Sequence, residues 1–206
     1  MIRPRISRIT ANLLILILLS AFSPLIAESG TPENSVRDLL GKIQQIHTGE
    51  ELSSQQIKAN QKFYEEAIVH LDVLRVSQKT LGSHWGKIDS GKQSEFVDLL
   101  RNLFMHVAFQ NSAKFFRDMK IEYQKSRINN NKARVPLKVL HKDEGEVEID
   151  FVLQQNSEVW KVTDVILDGV SMRNNLRTQF QKILKKKDFS DLIRRMNKKL
   201  KKSKKE

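Results

Sequence analysis

The side chains able to do covalent or acid–base chemistry are few in this sequence, and their spacing does not assemble them. The chain has no Cys and five His (His47, His70, His84, His106, His141), and none of these forms the His-Glu-x-x-His pair of a helical zinc site. Ser83 and Ser171 lack the Gly-x-Ser-x-Gly surround of a nucleophile elbow. Glu146, Glu148 and Asp150 bring three carboxylates together, the raw material of general acid–base catalysis. They alternate strictly with Val147, Ile149 and Phe151, so they belong to the wet face of a half-buried strand. Asp164 is the one acid inside the apolar run Trp160 to Leu167, and thus the one acid with a chance of facing a cavity. Catalytic residues and metal ligands are not expected, and a binding protein is.

The elements that would position a binding site read clearly. Val36, Leu39, Leu40, Ile43 and Ile46 make one face of a helix over 33–47. Ser53 to Gln56 offers a capping box for a second helix, and a third runs from Asp72 to about Leu81. Ser90 and Gln93 repeat the capping-box spacing before the most hydrophobic helix, whose Phe96, Leu100, Leu103, Phe104 and Val107 fall at steps of three and four as it runs to about residue 112. Between Lys120 and Leu167 the period changes to two, over four runs: Ile121 and Tyr123; Ala133 to Val139; Val147 to Leu153; Trp160 to Leu167. The links between them suit antiparallel hairpins. Asp168 and Gly169 then make a tight turn, Ser171 caps a helix running to about Lys187, and a last helix spans 188–200. The expected fold is α+β: helices over 33–112, a four-stranded antiparallel sheet over 120–167, and helices over 171–200.

Arg3, Arg5 and Arg8 precede an apolar run from Ala11 to Ile26, ending in Ala27-Glu28. This is the pattern of a cleaved export leader over 1–27, and it falls short of the roughly 20 apolar residues of a membrane span. A domain over 28–200 and a Lys-rich tail over 201–206 follow. Residues 28–181 carry 21 Lys and Arg against 21 Asp and Glu, whereas residues 182–206 carry 12 against 3. The positive charge therefore belongs to the C-terminal end alone. An exported protein meets little nucleic acid, so that end is expected either to meet an anionic membrane surface, at on the order of 1 kcal/mol per Lys, or to stay a solvated helix end that aids solubility.

Two stretches carry a resemblance. They are LDVLRVSQKTLGSHWGKIDSGKQSEFVDLLRNLF, Leu71 to Phe104, and WKVTDVILDGVS, Trp160 to Ser171, the latter followed by a helix bearing Arg177 and Phe180. Together, behind an export leader, they resemble the MlaC family, also called toluene-tolerance auxiliary proteins, over most of the chain. Gly91 stands where the family often has Pro, which favours but is not required in a first helical turn. The resemblance implies a twisted sheet shaped as a nuclear-transport-factor-2-like cone with added helices. It also implies a soluble periplasmic carrier of phospholipid between an outer-membrane lipoprotein–porin complex and an inner-membrane ABC transporter, maintaining outer-membrane lipid asymmetry. No cofactor or metal is implied, only the phospholipid as cargo.

On that reading the acyl chains lie between helix and sheet. The expected lining is Trp85, Phe96, Leu100, Phe104 and Val107 from the helical side. From the sheet come Leu137, Val139, Ile149, Phe151, Val165 and Leu167, with Trp160, Val162 and Ile166 in the opposite phase as an alternative inner set on the last strand. Three other readings remain open at this point: a carrier of another apolar lipid such as a hopanoid, a cone-fold isomerase or dehydratase using Asp164, and a structural partner of the transporter that binds no ligand.

Overall fold

The computed structural model describes residues 30–117, 119–141 and 145–203. The expected leader lies outside the described residues, as do the last three residues of the tail. The helical half comprises α1 (Pro32–Gln44), α2 (Ser54–Ile68), α3 (Val73–Leu81), a 3-10 stretch (Gly82–Lys87), α4 (Ser90–Leu103), a π-helical segment (Phe104–Ala108) and α5 (Phe109–Phe116). Strands β1 (Lys120–Tyr123), β2 (Arg127–Asn129), β3 (Lys132–His141), β4 (Gly145–Asn156), β5 (Val159–Leu167) and β6 (Val170–Ser171) follow, then α6 (Met172–Leu184) and α7 (Phe189–Ser203). Since α4, the π segment and α5 are one continuous helix, the described chain has six helices and one open antiparallel sheet of six strands.

The sheet has six strands where periodicity indicated four, for two local reasons. β1 and β2 both pair with β3, as one edge broken at residues 124–126. The break faces Pro136, whose carbonyl accepts from Gln124 N at 2.9 Å but which has no N–H to return, so the ladder is interrupted there. At the other side Leu167 pairs with Val170 across Asp168-Gly169, making β5 and the two-residue β6 a hairpin. Both turn residues have positive φ, 45° at Asp168 and 80° at Gly169, as a two-residue turn matched to strand twist requires.

Caps explain most helix starts. Thr31, Ser53, Asp72 and Ser171 each accept from a backbone N–H of the first turn, and Ser53 with Gln56 completes a capping box. The expected box at Ser90 is replaced: Asp89 is the cap of α4, and Gln93 instead donates to the carbonyls of Trp85 and Ile88, holding the preceding 3-10 stretch. The helix also runs past residue 112 to Phe116, because Phe109, Ala113 and Phe116 continue its buried face.

Apolar side chains gather in two clusters. One lies between α1, α2, α5 and the dry face of the sheet, where Val135, Leu137, Val139, Ile149, Phe151 and Leu153 are buried. The other lies between α3, α4, α6 and α7, where Phe96 packs edge-on against Phe180 at 5.6 Å. Each fully buried Leu or Phe stabilises the fold by about 1.5–3 kcal/mol. Phe104, in the π segment, touches both clusters. On the outer sheet face Arg134 pairs with Asp150 and Lys138 with Glu146, and Glu148 is exposed between them, so the carboxylates of β4 lie on the solvent side.

A Cβ at Gly169 would meet nothing within 4 Å, so a substitution there probes the backbone alone. Gly169→Val is expected to cost about 2 kcal/mol, lowering the melting temperature by roughly 4–8 °C; an unchanged value would show that the turn accepts a β-branched residue.

Candidate functional site

The site is built where the sheet's dry face meets α1, α5 and α6. Its sheet wall depends on a β-bulge in β5. Val152 pairs with Asp164 and Leu153 with Val162, leaving Thr163 as the extra residue, with its Oγ1 donating to the Val152 carbonyl at 3.2 Å. A bulge switches which alternate residues face inward. Trp160 and Val162 therefore point inward before it, Val165 and Leu167 after it, and the two candidate phases of the last strand are both inner sets on opposite sides of Thr163. Beyond the bulge Asp164 faces away from the cavity, and Ile166 does not line it.

The walls enclose a cavity of about 480 Å³. Ile149, Phe151, Val162, Val165 and Leu167 form the sheet side, and Leu39, Leu40 and Ile43 of α1 form a second wall. Phe104, Ala108, Phe109, Phe115 and Phe116 come from the long helix, Met172 and Leu176 from α6. Its few polar groups, Asn111, Ser112, Asn175 and Gln179, are uncharged; Asn111, Asn175 and Gln179 are exposed, which places the mouth between α5 and α6. A methylene is about as large as a water, about 30 Å³. The cavity thus has room for about sixteen such groups, the size of one fatty acyl chain.

A second cavity, about 330 Å³, adjoins the first. Phe104, Ala108, Asn111, Leu176 and Gln179 line both. Its own walls are Leu100, Leu103 and Val107 of the long helix, Phe180 and Ile183 of α6, and Leu192 and Met196 of α7. Arg195 and Lys199 stand at its rim.

Of the residues expected to line an acyl cavity, Phe104, Ile149, Phe151, Val165 and Leu167 meet in the first chamber, while Leu100 and Val107 line the second. Four lie elsewhere. Phe96 is wholly buried against Phe180 and Phe189, because the helical stripe divides between two clusters at Phe104. Trp85 packs on the helical cluster beneath Gln93 and lines neither chamber. Leu137 and Val139 are fully buried in the sheet core behind the first chamber. The α1 and α6 walls were missed, although the Val36-to-Ile46 stripe and Leu176 were visible as apolar positions in search of a cover.

Asp164 is buried, and its work is structural. Oδ2 accepts from Ser171 Oγ at 2.6 Å, Oδ1 accepts from Arg173 N at 2.9 Å, and the Arg173 guanidinium lies 3.4 Å away. Ser171 Oγ in turn accepts from Asn174 N at 3.0 Å. A strand carboxylate thus ties down the N-terminus of α6, where negative charge is favourable. His47, His70, His84 and His106 line neither chamber, and no group of three or more His, Asp or Glu among the described residues could hold a metal. No helix among the described residues is long and apolar enough to cross a membrane. The arrangement can bury hydrocarbon and hydrogen-bond a polar group at the mouth.

The family model described as MlaC protein matches residues 36–198. Among solved structures, the fold is similar to that of a phospholipid-binding protein from Ralstonia solanacearum in complex with a phospholipid. That likeness has a TM-score of 0.67 at 19% identity, covering 83% of this chain and 95% of the other. No curated protein matches.

Removing the tie should loosen the α6 wall. Asp164→Ala is expected to cost about 2–3 kcal/mol, since it deletes charge-assisted hydrogen bonds and leaves Arg173 half-buried without its partner. Thermal or urea unfolding reads this directly. Full stability in the variant would show that α6 is held by packing alone.

Proposed function

This chain belongs to the MlaC family, and we propose from that premise that it is a periplasmic phospholipid carrier without enzymatic activity. The leader over 1–27 exports it and is cleaved; the sheet and its helices act as a nuclear-transport-factor-2-like cone that holds the acyl chains. The carrier moves lipid between an outer-membrane lipoprotein–porin complex and an inner-membrane ABC transporter, and so maintains outer-membrane asymmetry. The observation that carries this reading is the apolar chamber of about 480 Å³ with a neutral polar mouth.

Energetics support it. Each acyl methylene exposed to water costs about 0.8 kcal/mol, so a chain of sixteen cannot cross an aqueous gap uncovered. The protein has the complementary difficulty. Void volume costs about 24 cal/mol per Å³, so an empty chamber of this size would cost on the order of 10 kcal/mol, comparable with the whole stability of a domain. The open mouth makes that an upper bound, and a lipid removes most of it. The walls of this chamber carry no charged side chain, and its acidic neighbour Asp164 is engaged with α6, which argues against an isomerase-type use of that carboxylate.

Native mass spectrometry of the exported protein, followed by organic extraction, tests the reading. One diacyl phospholipid per chain is expected, and its removal should lower the melting temperature. A protein that emerges empty and takes up no added lipid sinks the proposal; a bound polycyclic lipid would keep the carrier and change its cargo. Val165→Trp, which overfills the chamber, should weaken lipid binding by roughly fivefold or more. Trp85→Ala should leave occupancy unchanged.

A further inference from the structure

The two chambers differ in a way that a single-chain pocket does not explain. The first has room for about one acyl chain, and a phospholipid has two. The second, at about 330 Å³, has room for about eleven methylene-sized groups and opens beside the first. Between their mouths stand the exposed amides Asn111 and Gln179, which line both. The first mouth is uncharged, while the second carries Arg195 and Lys199 on α7. That helix bears six Lys and Arg against the single Asp191. Arg195 gives its Nε to Asp191 at 2.7 Å and keeps its remaining N–H groups, and Lys199 makes no ion pair among the described residues.

We propose that one glycerophospholipid straddles the ridge between the chambers, with a chain in each, its glycerol over Asn111 and Gln179, and its phosphate held by Arg195 and Lys199. This rests on the carrier reading and adds to it a phosphate site and a place for the second chain. The division follows from volume, since neither chamber alone takes both tails. The polarity follows from charge, because a guanidinium and an ammonium at one rim and neutral amides at the other leave the phosphodiester one favourable direction. Helix α7 thereby becomes part of the binding site, its Leu192 and Met196 against hydrocarbon and its Arg195 and Lys199 against the head group.

The test compares phosphatidylglycerol with diacylglycerol of the same chains, titrated into delipidated full-length exported protein. The wild type is expected to bind phosphatidylglycerol at least tenfold more tightly. Arg195→Gln with Lys199→Gln should abolish that preference, while the charge-matched pair Lys198→Gln with Lys201→Gln, which lines neither chamber, should retain it. Equal loss in both pairs would mean general attraction to α7, as an anionic membrane surface would also feel, and would overturn the phosphate site. No loss in either pair would overturn it too, yet the carrier reading would stand as long as phosphatidylglycerol still bound. A wild type that binds neither lipid would remove the carrier reading itself and this inference with it.

Val107→Trp tests the second chamber separately, because Val107 lines only that one. Binding of diacyl lipid should fall at least tenfold while the single-chain lysophosphatidylglycerol is retained. Undiminished diacyl binding in a folded variant would place both chains in the first chamber.

Discussion

The whole site hangs on keeping α6 where it is. A cavity with apolar walls tends to collapse, because every wall gains by touching the opposite one. Here α6 closes the space that the sheet and α5 leave open, and only short segments join it to the rest of the chain. Asp164 holds it: one carboxylate bonds the cap hydroxyl of Ser171, the backbone of Arg173 and the Arg173 guanidinium. At the far end of the same helix, Gln181 donates to the Leu81 carbonyl at 2.8 Å. Polar contacts at both ends thus fix the distance that apolar attraction would close.

The placement of Asp164 in turn depends on Thr163. Without the extra residue, strict alternation from Val162 would turn residue 164 inward and Val165 outward. The bulge puts the carboxylate on the helix side and returns Val165 and Leu167 to the chamber. A single unpaired residue thereby separates the structural acid from the hydrocarbon surface.

Much of this was legible from periodicity. The strand phases of β3 and β4, the turn at Asp168-Gly169 and the cap at Ser171 follow from residue types alone, since each depends on neighbours within a few positions. What periodicity could not settle depended on distant partners. The stripe from Phe96 to Val107 is uniform in sequence, yet its first part packs on α6 and α7 and its last part faces the chambers. Trp85 attracted a binding role because it is large and apolar, but its neighbours only become known when Gln93 folds back over the 3-10 stretch. Pro136 was the readable sign of the broken edge strand, and the bulge at Thr163 left no signature beyond the two competing phases it reconciles.

The π segment at Phe104–Ala108 has a consequence for how this chamber can vary among related chains. A wider turn accommodates one more residue than an α-helix needs, without breaking the rod. Each α-helical residue advances about 100° around the axis, so one extra residue in a regular helix would swing the whole of α5 by that angle, and the wider turn absorbs it instead. Phe109, Ala113 and Phe116 thereby stay on their buried face while α4 upstream keeps its own contacts. One codon can therefore be gained or lost at this position while the chamber ceiling stays in place, in a single genetic step and with no coordinated substitutions.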